Sequence, residues 1–100
     1  MSYRSFREFY PAYLAEHANP VSRRLHFLGT LLVLATFVYA VVTGRWLWLL
    51  AMPLFGYGLA WLGHYVFERN RPATFRHPLY SLAGDFVMFR DMLIGRVPWR

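Results

Sequence analysis

The sequence predicts an all-α integral membrane protein: a helical hairpin of two transmembrane helices, with an amphipathic interfacial helix on either side. Three observations predict it. Of the 100 residues, 57% are hydrophobic and 20% aromatic, more apolar surface than so small a soluble fold can bury. Two long apolar runs, 25–43 and 46–67, each contain one residue that ionises near neutral pH, His26 and His64. Only Gly44-Arg45 separates the runs, which allows a tight turn and forces antiparallel neighbours. The whole chain, 1–100, reads as one membrane domain.

The segment 3–17 carries Phe6, Phe9, Tyr10, Tyr13 and Leu14 at helical spacing, with Arg4, Arg7, Glu8 and Glu16 elsewhere. It reads as an amphipathic helix at the interface, with a kink or break at Pro11. The run 25–43 has 19 residues, about 28 Å of helix and close to the hydrocarbon thickness of a bilayer. The second run, 46–67, has 22 residues; Pro53 is expected to kink it, which membrane helices tolerate. Trp46 and Trp48 suit the far interface, where amphipathic rings are favoured. In 79–94, Leu82, Phe86, Phe89 and Leu93 oppose Asp85, Arg90 and Asp91, again an interfacial pattern. A cleaved signal peptide is not expected, because the first apolar run starts late and is too long for a signal core.

The net charge is +6, and all 11 basic residues are arginine. Four precede the first span, six follow the second, and only Arg45 sits in the turn. The positive-inside rule then expects both termini in the cytoplasm, and a bacterial inner membrane or an endoplasmic reticulum fits equally. Arginine clamps carboxylates and phosphates through paired hydrogen bonds, so anionic headgroups or an acidic lipid suit this chain better than nucleic acid. With no cysteine, thiolate ligands, catalytic thiols and disulfides are excluded.

Four histidines frame the hairpin. His17 precedes the first run, His26 opens it, His64 closes the second run and His77 follows it. A hairpin returns all four to one side. Imidazole is the commonest metal-ligating side chain, and ionisable groups within membrane segments are functional by default. Small residues let membrane helices approach closely: His26 shares a face with Gly29 and Thr30, and His64 with Ala60. Glu68, one turn after His64, is a candidate ligand, base or hydrogen-bond partner of an imidazole; Asp85, between Gly84 and Phe86, is a candidate for the last role. Nitrogen ligands with an oxygen or two suit iron, zinc, copper or nickel, and spacing alone does not choose among them. The hairpin is too small to enclose haem. A non-catalytic lipid-binding or structural hairpin, and a zinc-binding membrane protein, are the alternatives to an enzyme.

The segment from Phe9-Tyr10-Pro11-Ala12-Tyr13-Leu14-Ala15-Glu16-His17 through Asn19-Pro20 to Arg23-Arg24-Leu25-His26 resembles the opening of a small two-span membrane family. So does Glu68-Arg69-Asn70-Arg71-Pro72-Ala73-Thr74, followed by His77-Pro78, Ser81-Leu82 and Gly84-Asp85-Phe86. That family, long catalogued as a domain of unknown function, has as its characterised member a yeast endoplasmic-reticulum 2-hydroxy fatty acid dioxygenase of phytosphingosine breakdown. The resemblance departs at Ser22, where asparagine is the more frequent residue. It implies an iron(II)-dependent dioxygenase of fatty acid α-oxidation, with His17, His26, His64 and His77 as ligands. The substrates it implies are a 2-hydroxy fatty acid and O2, and the products a one-carbon-shorter acid, CO2 and water. The substrate supplies all four electrons, so no organic cofactor is implied, in keeping with the lack of a glycine-rich nucleotide fingerprint. By position, Arg23 and Arg71 are candidates to hold the substrate carboxylate, and Asn70 and Thr74 to contact the headgroup end. A homodimer is compatible with symmetry.

Overall fold

A computed structural model describes residues 3–72 and 75–99. Every regular element among them is helical, and two are long and apolar enough to span a membrane.

Helix α1 spans Phe6–Ala15. Ser5 caps it with its hydroxyl oxygen, which accepts the Glu8 N–H at 3.3 Å. The helix runs through Pro11 without the expected break. A proline removes one backbone hydrogen bond from its helix; here the buried Phe9 and Tyr13, one turn apart, hold the two sides of Pro11 in register. Helix α2 spans Pro20–Thr43 and begins five residues before the apolar run. Asn19 accounts for that start: its Oδ1 accepts the Val21 and Ser22 N–H groups at 2.9 and 3.4 Å. Pro20, with φ preset and no N–H to satisfy, suits the first helical position.

Gly44 turns the chain with φ 71, the left-handed conformation glycine adopts without strain. The second span is not uniform. A 3-10 segment, Trp46–Leu50, leads into α3, Ala51–Leu62, which passes into a π-helical segment, Gly63–Glu68. The first change precedes Pro53, whose missing N–H leaves the Leu49 carbonyl without its α-helical donor. Helix α4 spans Pro78–Leu93.

Helices α1 and α4 lie at the end of the hairpin opposite Gly44. The expected apolar face of α1 is buried, but it does not meet the expected face of α4: Phe9 and Tyr13 bury against Met88, Met92 and Val97, while Leu82, Phe86 and Leu93 stay exposed. Gly84 admits the Tyr13 ring, and Tyr10 donates to the buried Asp91 carboxylate at 2.7 Å, which turns that other face of α4 inward. Phe27 of α2 stacks on Phe89 at 4.5 Å, tying this small core to the first span. The spans themselves are largely bare. Leu47, Leu50 and Leu54 are 81%, 75% and 72% exposed, the apolar surface that a bilayer covers.

The two spans meet through small residues. A Cβ on Gly29 would stand 3.2 Å from the Phe55 carbonyl oxygen, and one on Gly63 would stand 2.8 Å from Ser22 Oγ. Because the Phe55 carbonyl is backbone and cannot swing aside, Gly29→Val should force the spans apart. A cost of about 1–3 kcal/mol is expected, measured as a lowered thermal midpoint in detergent. An unchanged midpoint would show that close approach at Gly29 does not hold the hairpin together.

Candidate metal centre

Three of the four histidines converge. His17 follows α1, His26 lies nearly two turns into α2, and His64 sits in the π-helical segment; their relative exposures are 0%, 4% and 2%. One nitrogen from each lies within 4.8 Å of the others. The rings stand edge to face, at interplanar angles of 89°, 73° and 88°. His17 Nε2 and His26 Nε2 are 3.0 Å apart.

Each imidazole is held by its other nitrogen. His17 Nδ1 is 2.6 Å from the Tyr13 carbonyl oxygen and His26 Nδ1 is 2.9 Å from that of Ser22. A carbonyl only accepts, so both Nδ1 atoms carry the proton. His64 Nδ1 is 2.6 Å from Asn70 Oδ1. The Asn70 amide is oriented by its own donor, Nδ2, which bonds the Glu16 carbonyl at 3.2 Å. The neutral tautomers therefore leave a lone pair on each Nε2, and the Nε2 atoms of His17 and His26 face each other at 3.0 Å. Two facing lone pairs repel unless a cation lies between them. A proton is a poor candidate at His17, where burial, with the His26 ring beside it, holds the imidazole well below its usual range. A metal ion suits the donor set: neutral imidazoles are the form that binds metals, and Nδ1–H bonds to oxygen acceptors are the usual way such ligands are oriented.

Local structure explains these positions. The Tyr13 carbonyl belongs to the last turn of α1, where it accepts the Glu16 N–H at 3.1 Å and keeps a second lone pair for His17. The π-helical segment widens the turn at His64, a feature frequent at functional sites. Arg69 then takes φ 57, an uncommon conformation for a side-chain-bearing residue. It reverses the chain so that Asn70, whose N–H bonds the His64 carbonyl at 3.0 Å, folds back on the imidazole.

The other candidates are elsewhere. His77 is not in the cluster: it caps α4 without a side-chain hydrogen bond to the helix. Its ring lies 5.1 Å from Tyr3 and 5.6 Å from Phe9, so that Phe9 and Tyr13 intervene between it and His17. Glu68 Oε1 accepts the Asn19 N–H at 2.7 Å, clamping the end of the second span to the start of the first. Asn70 serves His64. Arg23 Nη1 donates to the His17 and Ala18 carbonyls at 3.3 and 3.1 Å. The Arg71 guanidinium lies 5.6 Å over the Phe75 ring. Thr74 lies outside the described residues. Ser22 serves His26 through its main chain, and its hydroxyl packs against Gly63.

Sequence reasoning missed Tyr13. It is fully buried, and its ring stacks on His17 at 4.1 Å. Its hydroxyl donates to Asp85 Oδ1. A signal was present: Tyr13 precedes His17 by four residues, the spacing that brings a carbonyl to an imidazole at a helix end. Burial pushes the Asp85 carboxyl up to about 6, against the opposing effect of the Tyr13 hydrogen bond.

A family model described as 2-hydroxy-palmitic acid dioxygenase Mpo1-like matches residues 3–97. No curated protein and no solved structure gives a significant match.

The raised Asp85 value makes stability pH-dependent. From the unfolded value of 3.8 up to about 6, the folded chain holds a proton that the unfolded chain has lost, so stability falls as pH rises through that window. Asp85→Asn keeps an acceptor for Tyr13 and lacks the ionisation. The stability difference between wild type and Asp85→Asn should therefore shift in favour of the variant by up to about 3 kcal/mol between pH 4 and 7. Denaturant titrations in detergent measure it, and a constant difference would show that Asp85 ionises as readily in the fold as in the unfolded chain.

Proposed function

Because the chain belongs to the Mpo1-like family, we propose that it is an iron(II)-dependent dioxygenase that converts a 2-hydroxy fatty acid to the acid one carbon shorter. One hydroxy acid and one O2 give the shortened acid, CO2 and water. The bond between the carboxyl carbon and C2 breaks, and the substrate delivers the four electrons that O2 takes up. The observation that carries this reading is the convergence of three Nδ1-anchored imidazoles, with the Nε2 atoms of His17 and His26 facing each other and a His64 nitrogen within 4.8 Å.

His17, His26 and His64 are the residues that hold the metal. Three protein ligands leave positions for a hydroxy acid and oxygen, which a closed four-ligand structural site does not. A ferrous ion held there would supply Lewis acidity and a route for electrons to oxygen. The protein's own part is orientation. Tyr13, Ser22 and Asn70 fix the three tautomers, and Asp85 fixes Tyr13. Arg23, anchored beside His17, is the cation this reading assigns to the substrate carboxylate. Both termini and the metal centre face the cytoplasm in this proposal, by the arginine distribution.

Anaerobic purification in detergent, metal analysis, and then addition of O2 and a 2-hydroxy fatty acid test the reading. Stoichiometric iron with CO2 release and the shortened acid is the expected result. A metal-free protein that refuses iron, or one that holds zinc and consumes no oxygen, would remove it in favour of a structural or zinc-binding hairpin. His17→Gln, His26→Gln and His64→Gln should each lower iron occupancy at least 10-fold, on the order seen when metal-site contacts are lost. His77→Gln should retain iron. Loss of iron in the His77 variant would show that a fourth ligand joins the site when metal binds.

A further inference from the structure

A cavity of about 420 Å3, which touches the histidine cluster at His26, lies between α2, α3 and α4. We infer that it is an acyl-chain slot, taking the tail of a 2-hydroxy fatty acid with the polar end at His26 and the methyl end against Leu49 and Met52. The inference rests on the proposed function for the identity of the head group.

The wall is built from helical repeats. His26, Thr30 and Val33 recur along one face of α2, and Ala60, Gly56 and Pro53 along one face of α3. Each row spans seven helical steps, about 10 Å of depth, and Met52 and Leu49 extend the slot towards the Gly44 turn. Leu82 and Phe86 of α4 form the third side. The α2–α3 seam is closed where Val33 meets Gly56; a Cβ there would stand 3.2 Å from Val33 Cγ2.

Chemistry is distributed along this axis as in a single-chain amphiphile. His26, Thr30 and Asp85 stand at the metal-centre end, and Asp85 is tied there through Tyr13. The remaining wall is carbon, apart from Tyr57, whose ring leans on Trp61. Volume and lining match those of small-molecule sites, which are mostly apolar with a few convergent polar groups. The orientation also agrees with the bilayer: the head lies at the level of the span ends and the tail runs along the spans towards the Gly44 turn. Each methylene taken into such a wall tightens binding about fourfold, so the distance from His26 to Met52 sets the preferred chain length.

The test uses the full chain in detergent and a 2-hydroxypalmitic acid analogue carrying a diazirine at its methyl end. Photolysis should label 49–53, and unlabelled 2-hydroxypalmitic acid should suppress the labelling. Met52→Trp, which shortens the slot, should weaken capture of this probe roughly tenfold relative to a shorter-chain homologue. Met52→Ala should shift the preference the other way. Labelling confined to outward residues such as Leu31, Val38 and Leu54, insensitive to competitor, overturns the slot; so does an unchanged chain-length profile in both Met52 variants. Labelling needs no turnover, which separates the two claims. A protein that labels in the slot but consumes no oxygen keeps the slot and loses the dioxygenase reading. One that turns over hydroxy acid but labels only outward positions keeps the reading and loses the slot.

Discussion

Two imidazole nitrogens 3.0 Å apart, each stripped of its proton by a hydrogen bond on the far side of its ring, are the constraint around which this molecule is arranged. His17, His26 and His64 are all buried, so bulk solvent does not separate the two nitrogens. A cation relieves their repulsion, and the surrounding structure favours a metal over a proton by committing Nδ1 to oxygen acceptors. The turn between α1 and α2, the π-helical segment and the left-handed Arg69 all serve that one geometry.

The parts divide the work. The hairpin sets depth, since its length matches a bilayer and its ends carry His26 and His64. Helices α1 and α4 close over that end. Their joint depends on Gly84, where a Cβ would stand 3.0 Å from the Tyr13 ring. That close approach brings Asp85 to the Tyr13 hydroxyl, and so couples α4 to the residue whose carbonyl orients His17. Helix α4 thus both steadies the histidine cluster and walls the cavity beside it.

Much of the fold was legible because its signals are local. Two uninterrupted apolar runs and a Gly-Arg turn specify a hairpin, and Asn19-Pro20 marks the true start of α2 once its capping role is read. Pro11 brings no break, since a short helix pinned by Phe9 and Tyr13 tolerates one lost hydrogen bond. In the site, the grouping of His17, His26 and His64 was legible from their places at the ends of the spans. The partners were not. Glu68 and Asn70 are two residues apart at the end of the second span, yet the π-helical segment and the reversal at Arg69 send the amide to the imidazole and the carboxylate to the Asn19 N–H. His77 was grouped with the others by symmetry in the chain, and the aromatic packing of Phe9 and Tyr13 stands between it and the cluster.

By itself the sequence determined that the chain is helical, that two segments are long and apolar enough to cross a bilayer, and that histidines gather at one end of them. These follow from composition, periodicity and run length, which act over a few turns of chain. Only the tertiary structure decided which histidines meet, which nitrogen each presents, and where an apolar cavity opens beside them. Those outcomes depend on close approaches at Gly29, Gly63 and Gly84 and on hydrogen bonds between residues as far apart as Tyr13 and Asp85. They are set by three-dimensional packing, to which spacing along the chain is blind.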